Sequence, residues 1–179
     1  MSLQQEKTLE IGLKNKRVLI TGGLGMIGST IAHICVEYGA KVTLVDSFIE
    51  PFGANYFNIH DIKEDVNVNI CDIRDKESMK ILVRDQDIIF NLAGQISHND
   101  SLNNPSLDAE INYLAQMNVM ENVKLYNPDA IMVFSGSRLQ FGPIKYNPVD
   151  EQHPLTPQTP YAFHKTMTEY LYDYYNKQF

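Results

Sequence analysis

The stretch from Arg17 to Gly28, Arg-Val-Leu-Ile-Thr-Gly-Gly-Leu-Gly-Met-Ile-Gly, limits this chain to few folds. Val18, Leu19 and Ile20 form a short apolar run suited to a buried parallel strand, and the glycines begin where that run stops. After Gly28 the apolar residues Ile31, Ile34, Cys35 and Tyr38 recur at helical spacing until Gly39, which suits the position just past a helix C-terminus. The turn therefore opens a helix whose first amides have no partners inside it and favour an anion. Gly22, Gly25 and Gly28 leave room for a tight turn, for a pyrophosphate and for contact between helix and strand. Their Gly-x-x-Gly-x-x-Gly spacing departs from the commoner Gly-x-Gly-x-x-Gly pattern, and a tight turn without a ligand is the competing reading.

The next segment favours a dinucleotide. Lys41 to Val45 reads as a second apolar strand ending at Asp46, which lies 18 positions after Gly28, where an acid accepts from the hydroxyls of an adenosine ribose. Such an acid repels a ribose 2′-phosphate, and no Lys or Arg lies between Lys41 and Lys63 to neutralise one. NAD is expected rather than NADP.

Charge and cysteine usage exclude several other classes. Fifteen basic and 22 acidic side chains give a net charge of −7 with no dense Lys/Arg cluster, which argues against nucleic acid or an anionic membrane surface as partner. Cys35 and Cys71 make no disulfide framework and no metal-type spacing. The histidines His33, His60, His98, His153 and His164 lack ligand spacing too, so no metal is expected and each is read as a surface or loop residue. With no apolar run of about 18 residues and no signal-peptide pattern, the expected compartment is the cytoplasm.

Residues 1–16 are polar and read as a loosely held lead-in, and 17–179 as one dinucleotide-binding domain. Ser47 to Asp65 has no clear period and is expected to be a loop with room for a short helical turn, in which Phe48 either covers the adenine or plugs a gap. Val66 to Ile70 is a third strand, and Asp75 a cap for a helix from about Lys76 to Arg84. Asp87 to Asn91 is a fourth strand, ending at Leu92-Ala93-Gly94, where small residues let a flat ring lie close. Ser97 to Pro105 reads as a polar loop. Leu107 to Tyr126 is a long helix with Ile111, Leu114, Ala115, Asn118, Val119, Asn122 and Val123 along one stripe. Ala130 to Phe134 is the fifth strand, followed by Ser135-Gly136-Ser137 and a Pro-rich loop from Pro143 to Thr159. Thr159 and Pro160 are the N-cap and first residue of a helix running towards Phe179. Strands and helices alternating in this way predict an α/β fold, a doubly wound parallel sheet with ligands beyond the carboxyl ends of its strands.

Tyr161 and Lys165, four apart, share one face of that last helix. An ammonium held near a phenol, with the positive end of a nicotinamide, favours the phenolate, so Tyr161 is expected to exchange a proton with a sugar hydroxyl while Ser137 holds the same oxygen. Alone, a Tyr-x-x-x-Lys pair more often marks only a helix face.

Taken in order, Thr21 to Gly28, Asp46, Cys71-Asp72-Ile73, Asn91 to Gly94, Asn112, Ser137 and Tyr161-Ala162-Phe163-His164-Lys165 resemble the extended short-chain dehydrogenases. Within them the chain is similar to the NAD-dependent nucleotide-sugar epimerase/dehydratase branch, of the UDP-glucose 4-epimerase type, over nearly all its length after Lys16. The resemblance implies a Rossmann-type fold holding NAD through Gly22, Gly25, Met26, Ile27, Gly28, Asp46, Ser47, Asp72, Ile73, Leu92, Ala93, Gly94, Asn112, Ser135, Tyr161 and Lys165. Asp72 and Ile73 would meet the adenine, and Ser137, Tyr161 and Lys165 would be catalytic. It also implies a nucleotide-sugar substrate and a homodimer through the 107–126 and 161–175 helices.

Two departures qualify what it implies. Dehydratases of the branch carry an acidic pair after the catalytic Ser or Thr, whereas Arg138 and Leu139 stand here, which favours epimerisation, with nucleotide-sugar oxidation or reduction behind it. Phe141 replaces a tyrosine. The chain also ends where relatives continue into a substrate domain, so a truncated cofactor-binding half is expected, with exposed sheet edges; a catalytically silent NAD-binding scaffold is the rival.

Overall fold

In a computed structural model, residues 8, 11–49 and 53–179 are described. Five strands, β1 (Arg17–Thr21), β2 (Lys41–Asp46), β3 (Val66–Ile70), β4 (Ile88–Asn91) and β5 (Ile131–Phe134), pair in the order β3-β2-β1-β4-β5, all parallel. Strand order reverses between β1 and β4, and both strands end on the same rim, with Thr21 opposite Asn91. This reversal is the crevice where an open α/β sheet takes its ligands.

The sheet separates two apolar layers. Val18, Ile20, Val42 and Leu44 pack against Leu24, Ala32 and Cys35 on one face, while Leu19, Val45 and Ile89 pack against Met79, Val83, Ala115 and Val119 on the other. Alternate residues of each strand point to opposite faces, which is why strands buried on both sides read as continuous apolar runs. At the sheet edges that pattern meets solvent: Ile70 on β3, and Ile131 and Val133 on β5, are exposed.

Helix α1 (Met26–Glu37) follows β1, and Gly39 sits just beyond its end at φ +77°. Asp75 caps α2 (Lys76–Leu82) by accepting from the amides of Glu77 and Ser78. The predicted loop over 47–65 holds two short 3₁₀ turns, Tyr56–Ile59 and Lys63–Asp65, and Phe48 stacks on Tyr56 at 5.5 Å. Residues 50–52 of that loop, and most of the expected lead-in, lie outside the described residues. The described end of the lead-in is fixed, since Leu13 is buried in the first apolar layer.

Two expectations need correction. The polar loop expected at 97–105 is largely a helix, α3 (His98–Asn103), because the Ser97 side chain accepts from the Asp100 amide and starts a turn. The long helix expected over 107–126 is three pieces: α4 (Pro105–Ala109), a π-helical turn (Glu110–Leu114) and α5 (Ala115–Tyr126). Its apolar stripe was read correctly at Asn118 and Asn122. Both are buried, donating to the carbonyls of Ile73 and Lys76. The final helix, α6 (Pro160–Gln178), begins on Thr159, whose hydroxyl accepts from the Ala162 amide.

Candidate active site

The glycine turn is built as its spacing predicts. Gly22 has φ +67°, and a Cβ there would lie 3.1 Å from the Ala93 backbone, so the first glycine makes the turn and lets β4 approach. A Cβ on Gly28 would stand 2.2 Å from the Gly22 carbonyl oxygen, so the third glycine lets α1 press against the turn. Gly25 sits between them as the N-cap of α1 with no side-chain cap, leaving amides at a helix N-terminus directed to the crevice.

That crevice is a cleft of about 290 Å³ along the carboxyl rim. Of the residues expected to hold a coenzyme, Gly22, Gly25, Met26, Ile27 and Gly28 form its floor near β1, and Asp46, Ser47, Asp72 and Ile73 the end near β2 and β3. Leu92, Ala93, Gly94 and Ser135 line the end near β4 and β5. Composition gave no warning of the apolar residues that complete the walls, among them Ile49, Ile96 and Ile111.

Asp46 shapes this cleft as well as lining it. Its Oδ2 accepts from the Leu24 amide at 3.0 Å and its Oδ1 from the Phe48 amide at 3.0 Å, so one carboxylate fastens the glycine turn to the loop after β2. At the adenine end, burial pushes the Asp72 carboxyl up and Arg74 more than reverses this, holding it below its ordinary value. Arg74 also reaches Glu110 at 3.3 Å, bridging β3's exit to the π turn.

Asn112, Tyr161 and Lys165, also expected at the coenzyme, lie outside the cleft lining, and Asn112 and Lys165 meet it at Gly94 and Ser135. Lys165 Nζ donates to the Ser135 carbonyl at 3.1 Å and lies 4.8 Å from the centre of the Phe134 ring. A Cβ on Gly94 would be 2.7 Å from Asn112 Oδ1 and 3.4 Å from Lys165 Nζ, so both groups converge where that glycine leaves space. Ser137 lies near enough to the Tyr161 phenol to favour its ionised form. Ser137 also starts the 3₁₀ turn Arg138–Phe141, in which Gln140 accepts from the Ser137 amide and donates to Glu169 of α6. The loop after β5 is thereby tied to the helix that carries Tyr161.

Burial pushes the Tyr161 phenol above its ordinary value, Ser137 pulls it back and Asp108 adds an upward push. Burial draws the Lys165 amine down to about 8, with Asp108 opposing. Lys165 directs its amine to the Ser135 carbonyl, so in the chain alone desolvation governs the phenol, and the expected lowering also needs the positive end of a nicotinamide.

Four buried side chains were missed. Thr21 Oγ1 accepts from the Leu92 and Ala93 amides at 3.0 Å each and donates to Asn91 Oδ1 at 2.7 Å. Gln116 takes Asn91 Nδ2 at 2.7 Å and donates to the Ala93 carbonyl at 2.9 Å, holding the Leu92–Gly94 segment from above. Asp108 pairs with His164 at 2.6 Å. His164 is therefore a packed helix residue, contrary to the surface or loop position expected of it.

The model of the GDP-mannose 4,6 dehydratase family matches residues 19–179. The chain belongs to this family. A relative from Methanocaldococcus jannaschii, which carries the provisional name UDP-glucose 4-epimerase, is 35% identical over 161 residues, covering 89% of this chain and 51% of its own length. Among solved structures, a UDP-N-acetylglucosamine 4-epimerase from Methanobrevibacter ruminantium in complex with UDP-N-acetylmuramic acid superposes with a TM-score of 0.83 at 27% identity. It covers 92% of this chain and 52% of the other. A UDP-glucose-4-epimerase from Stenotrophomonas maltophila with bound NAD and formylated UDP-arabinopyranose superposes at 0.79 with 25% identity, covering 88% and 48%. The chain spans about half the length of the relatives it matches. The Stenotrophomonas enzyme holds NAD, and NAD is the coenzyme of the family.

The residues present fit that coenzyme. The cradle closed by a Cβ at Gly22 or Gly28, the uncapped N-terminus of α1 and the Asp46 carboxylate match a diphosphate and a ribose diol. Among the described residues no helix is long and apolar enough to cross a membrane.

Proposed function

We propose that this chain is the coenzyme-binding half of an NAD-dependent nucleotide-sugar epimerase. The observation that carries the reading is the convergence of Lys165 Nζ on the Ser135 carbonyl and the space beside Gly94 at the cleft, with Ser137 near enough to the Tyr161 phenol to act on it. Gly25 and the start of α1 would hold the diphosphate, Asp46 the adenosine ribose, and Lys165 the nicotinamide ribose.

Bound there, NAD would supply a reversible hydride acceptor, and its positive nicotinamide would favour the Tyr161 phenolate against the push of burial. Tyr161 as phenolate would take the proton of the reacting hydroxyl as the ketone forms and give it back when the ketone is reduced. Ser137 holds the same oxygen in line with Tyr161. Arg138 and Leu139, where a dehydratase would need acidic groups, favour turning the ketone over rather than eliminating water.

We further read the exposed apolar side chains Leu114 and Leu125, with Phe163, Tyr170 and Tyr174 on α6, as a homodimer surface across the 107–126 and 161–175 helices.

The test uses the full-length protein, NAD and a panel of UDP- and CDP-sugars, with the C4 configuration followed by NMR. Interconversion that is lost in Tyr161→Phe while NAD binding persists supports the reading. If no sugar is converted although Tyr161→Phe binds NAD like wild type, the assignment falls to a silent NAD-binding scaffold. Net oxidation or reduction of the sugar would assign a dehydrogenase or reductase instead.

A further inference from the structure

Asp108 is 1% exposed, and the one basic side chain within 4 Å of its carboxylate among the described residues is His164. Its Oδ1 meets His164 Nδ1 at 2.6 Å, and its Oδ2 accepts from Asn112 Nδ2 at 3.0 Å. Because a carboxylate only accepts, the imidazole carries its hydrogen on Nδ1. Asn112 also donates to the Gln95 carbonyl at 3.0 Å, so both of its amide hydrogens are engaged. Turning the amide over would set its oxygen against the Asp108 carboxylate and the Gln95 carbonyl, acceptor against acceptor. The Asn112 carbonyl is thereby fixed towards the space beside Gly94 that Lys165 Nζ also faces.

We propose that Asp108 and His164 form a positioning pair for Asn112 and Lys165. Asp108 fixes the Asn112 carbonyl towards the space beside Gly94 that the Lys165 amine also faces and its carboxylate acts on that amine, and His164 holds the carboxylate in register. The pair spans two elements, α4 and α6, on either side of the π turn, a local irregularity of the kind that clusters at functional sites. The groups around the amine are the Ser135 carbonyl and the Phe134 ring at the end of β5, and Asn112 on the π turn. Asp108 is the charged group that acts on it, and it favours the protonated amine against the pull of burial.

The catalytic meaning of the pair rests on the epimerase reading, but its effect on Lys165 and Asn112 is measurable without turnover. With isotope-labelled protein, NMR follows the Lys165 side-chain carbon through its titration and the solvent exchange of the Asn112 side-chain NH₂. In Asp108→Asn, which keeps the shape and removes the charge, the Lys165 midpoint should fall by about one pH unit. In His164→Ala the carboxylate stays but loses its tether, and the slow exchange of the Asn112 hydrogens should be lost. It should return in His164→Gln, whose amide still donates.

A folded Asp108→Asn with an unmoved Lys165 midpoint overturns the charge role. Asn112 equally protected in His164→Ala overturns the tether, and this second variant decides if Asp108→Asn does not fold. A protein that gives both responses yet converts no sugar keeps the pair and loses the epimerase reading. One that converts sugar without either response does the reverse.

Discussion

A Cβ added to Gly28 would stand 2.2 Å from the carbonyl oxygen of Gly22. The contact is backbone against helix start, so no side chain can swing aside. Gly28→Ala should therefore open the turn and lower stability by about 1 to 3 kcal/mol, as overpacking does, while abolishing NAD binding. Gly25→Ala is the matched control: its Cβ would sit 3.3 Å from the same oxygen, tight but tolerable, so the melt should barely move while NAD affinity drops. Thermal unfolding and a NAD titration on both variants separate packing from ligand approach.

Thr21 and the segment Leu92–Gly94 give a second prediction. One hydroxyl satisfies two amides and one amide oxygen in a fully buried position. Thr21→Val keeps the volume and strands the Leu92 and Ala93 amides, each at a cost of about 1 to 3 kcal/mol. We expect a destabilisation at the upper end of single-residue effects in chemical denaturation. NAD affinity should fall with it, because the same segment walls the cleft.

These two networks also show what was and was not legible in the chain. Strands such as β1 and β2 are buried on both faces, so their apolar runs announced themselves, and the glycines could be assigned separate jobs because each job excludes a side chain. Helix α3 was hidden because His98–Asn103 is polar apart from Leu102; its local signal is Ser97 three positions before Asp100. The π turn was invisible because one extra residue per turn leaves a 3.6-residue pattern almost unchanged over five positions. Tyr161 and Lys165 were singled out by their spacing together with the family resemblance, but where the amine goes depends on Ser135, which is 30 positions away. Asp108 and His164 are 56 positions apart, and nothing local marks a charge that will lose all contact with water.

Asp46 bears on coenzyme choice. Its carboxylate is anchored by the Leu24 and Phe48 amides, so it cannot turn away from a ribose 2′-phosphate, and Ser47, its neighbour on the cleft wall, brings no positive charge. NAD should bind at least about tenfold more tightly than NADP, a difference of about 1.4 kcal/mol. Asp46→Asn should narrow that ratio and also lower the melting temperature, since charged acceptors make the stronger bonds to backbone amides. Calorimetric titration with both coenzymes reads the ratio, and equal affinities in the wild type would contradict it.

The last prediction concerns Lys165 and pH. Burial lowers its amine from an ordinary 10.5 to about 8. Between those values the unfolded chain holds more protons than the folded one, so stability rises with pH across that window. Below about 8 both states are charged and the folded protein carries the full burden of a desolvated ammonium, about 3 kcal/mol from the size of the shift. Above 10.5 that burden is gone. Lys165→Met removes it at every pH while leaving the Ser135 carbonyl without its donor, a loss that does not depend on pH. The stability of the variant relative to wild type should therefore be most favourable near pH 7 and decline by most of that amount towards pH 10. Urea unfolding at the two pH values measures the difference. A gap between variant and wild type that stays constant from pH 7 to 10 would mean that the Lys165 amine is not desolvated in the folded protein, and the cleft end beside Gly94 would then be open to water.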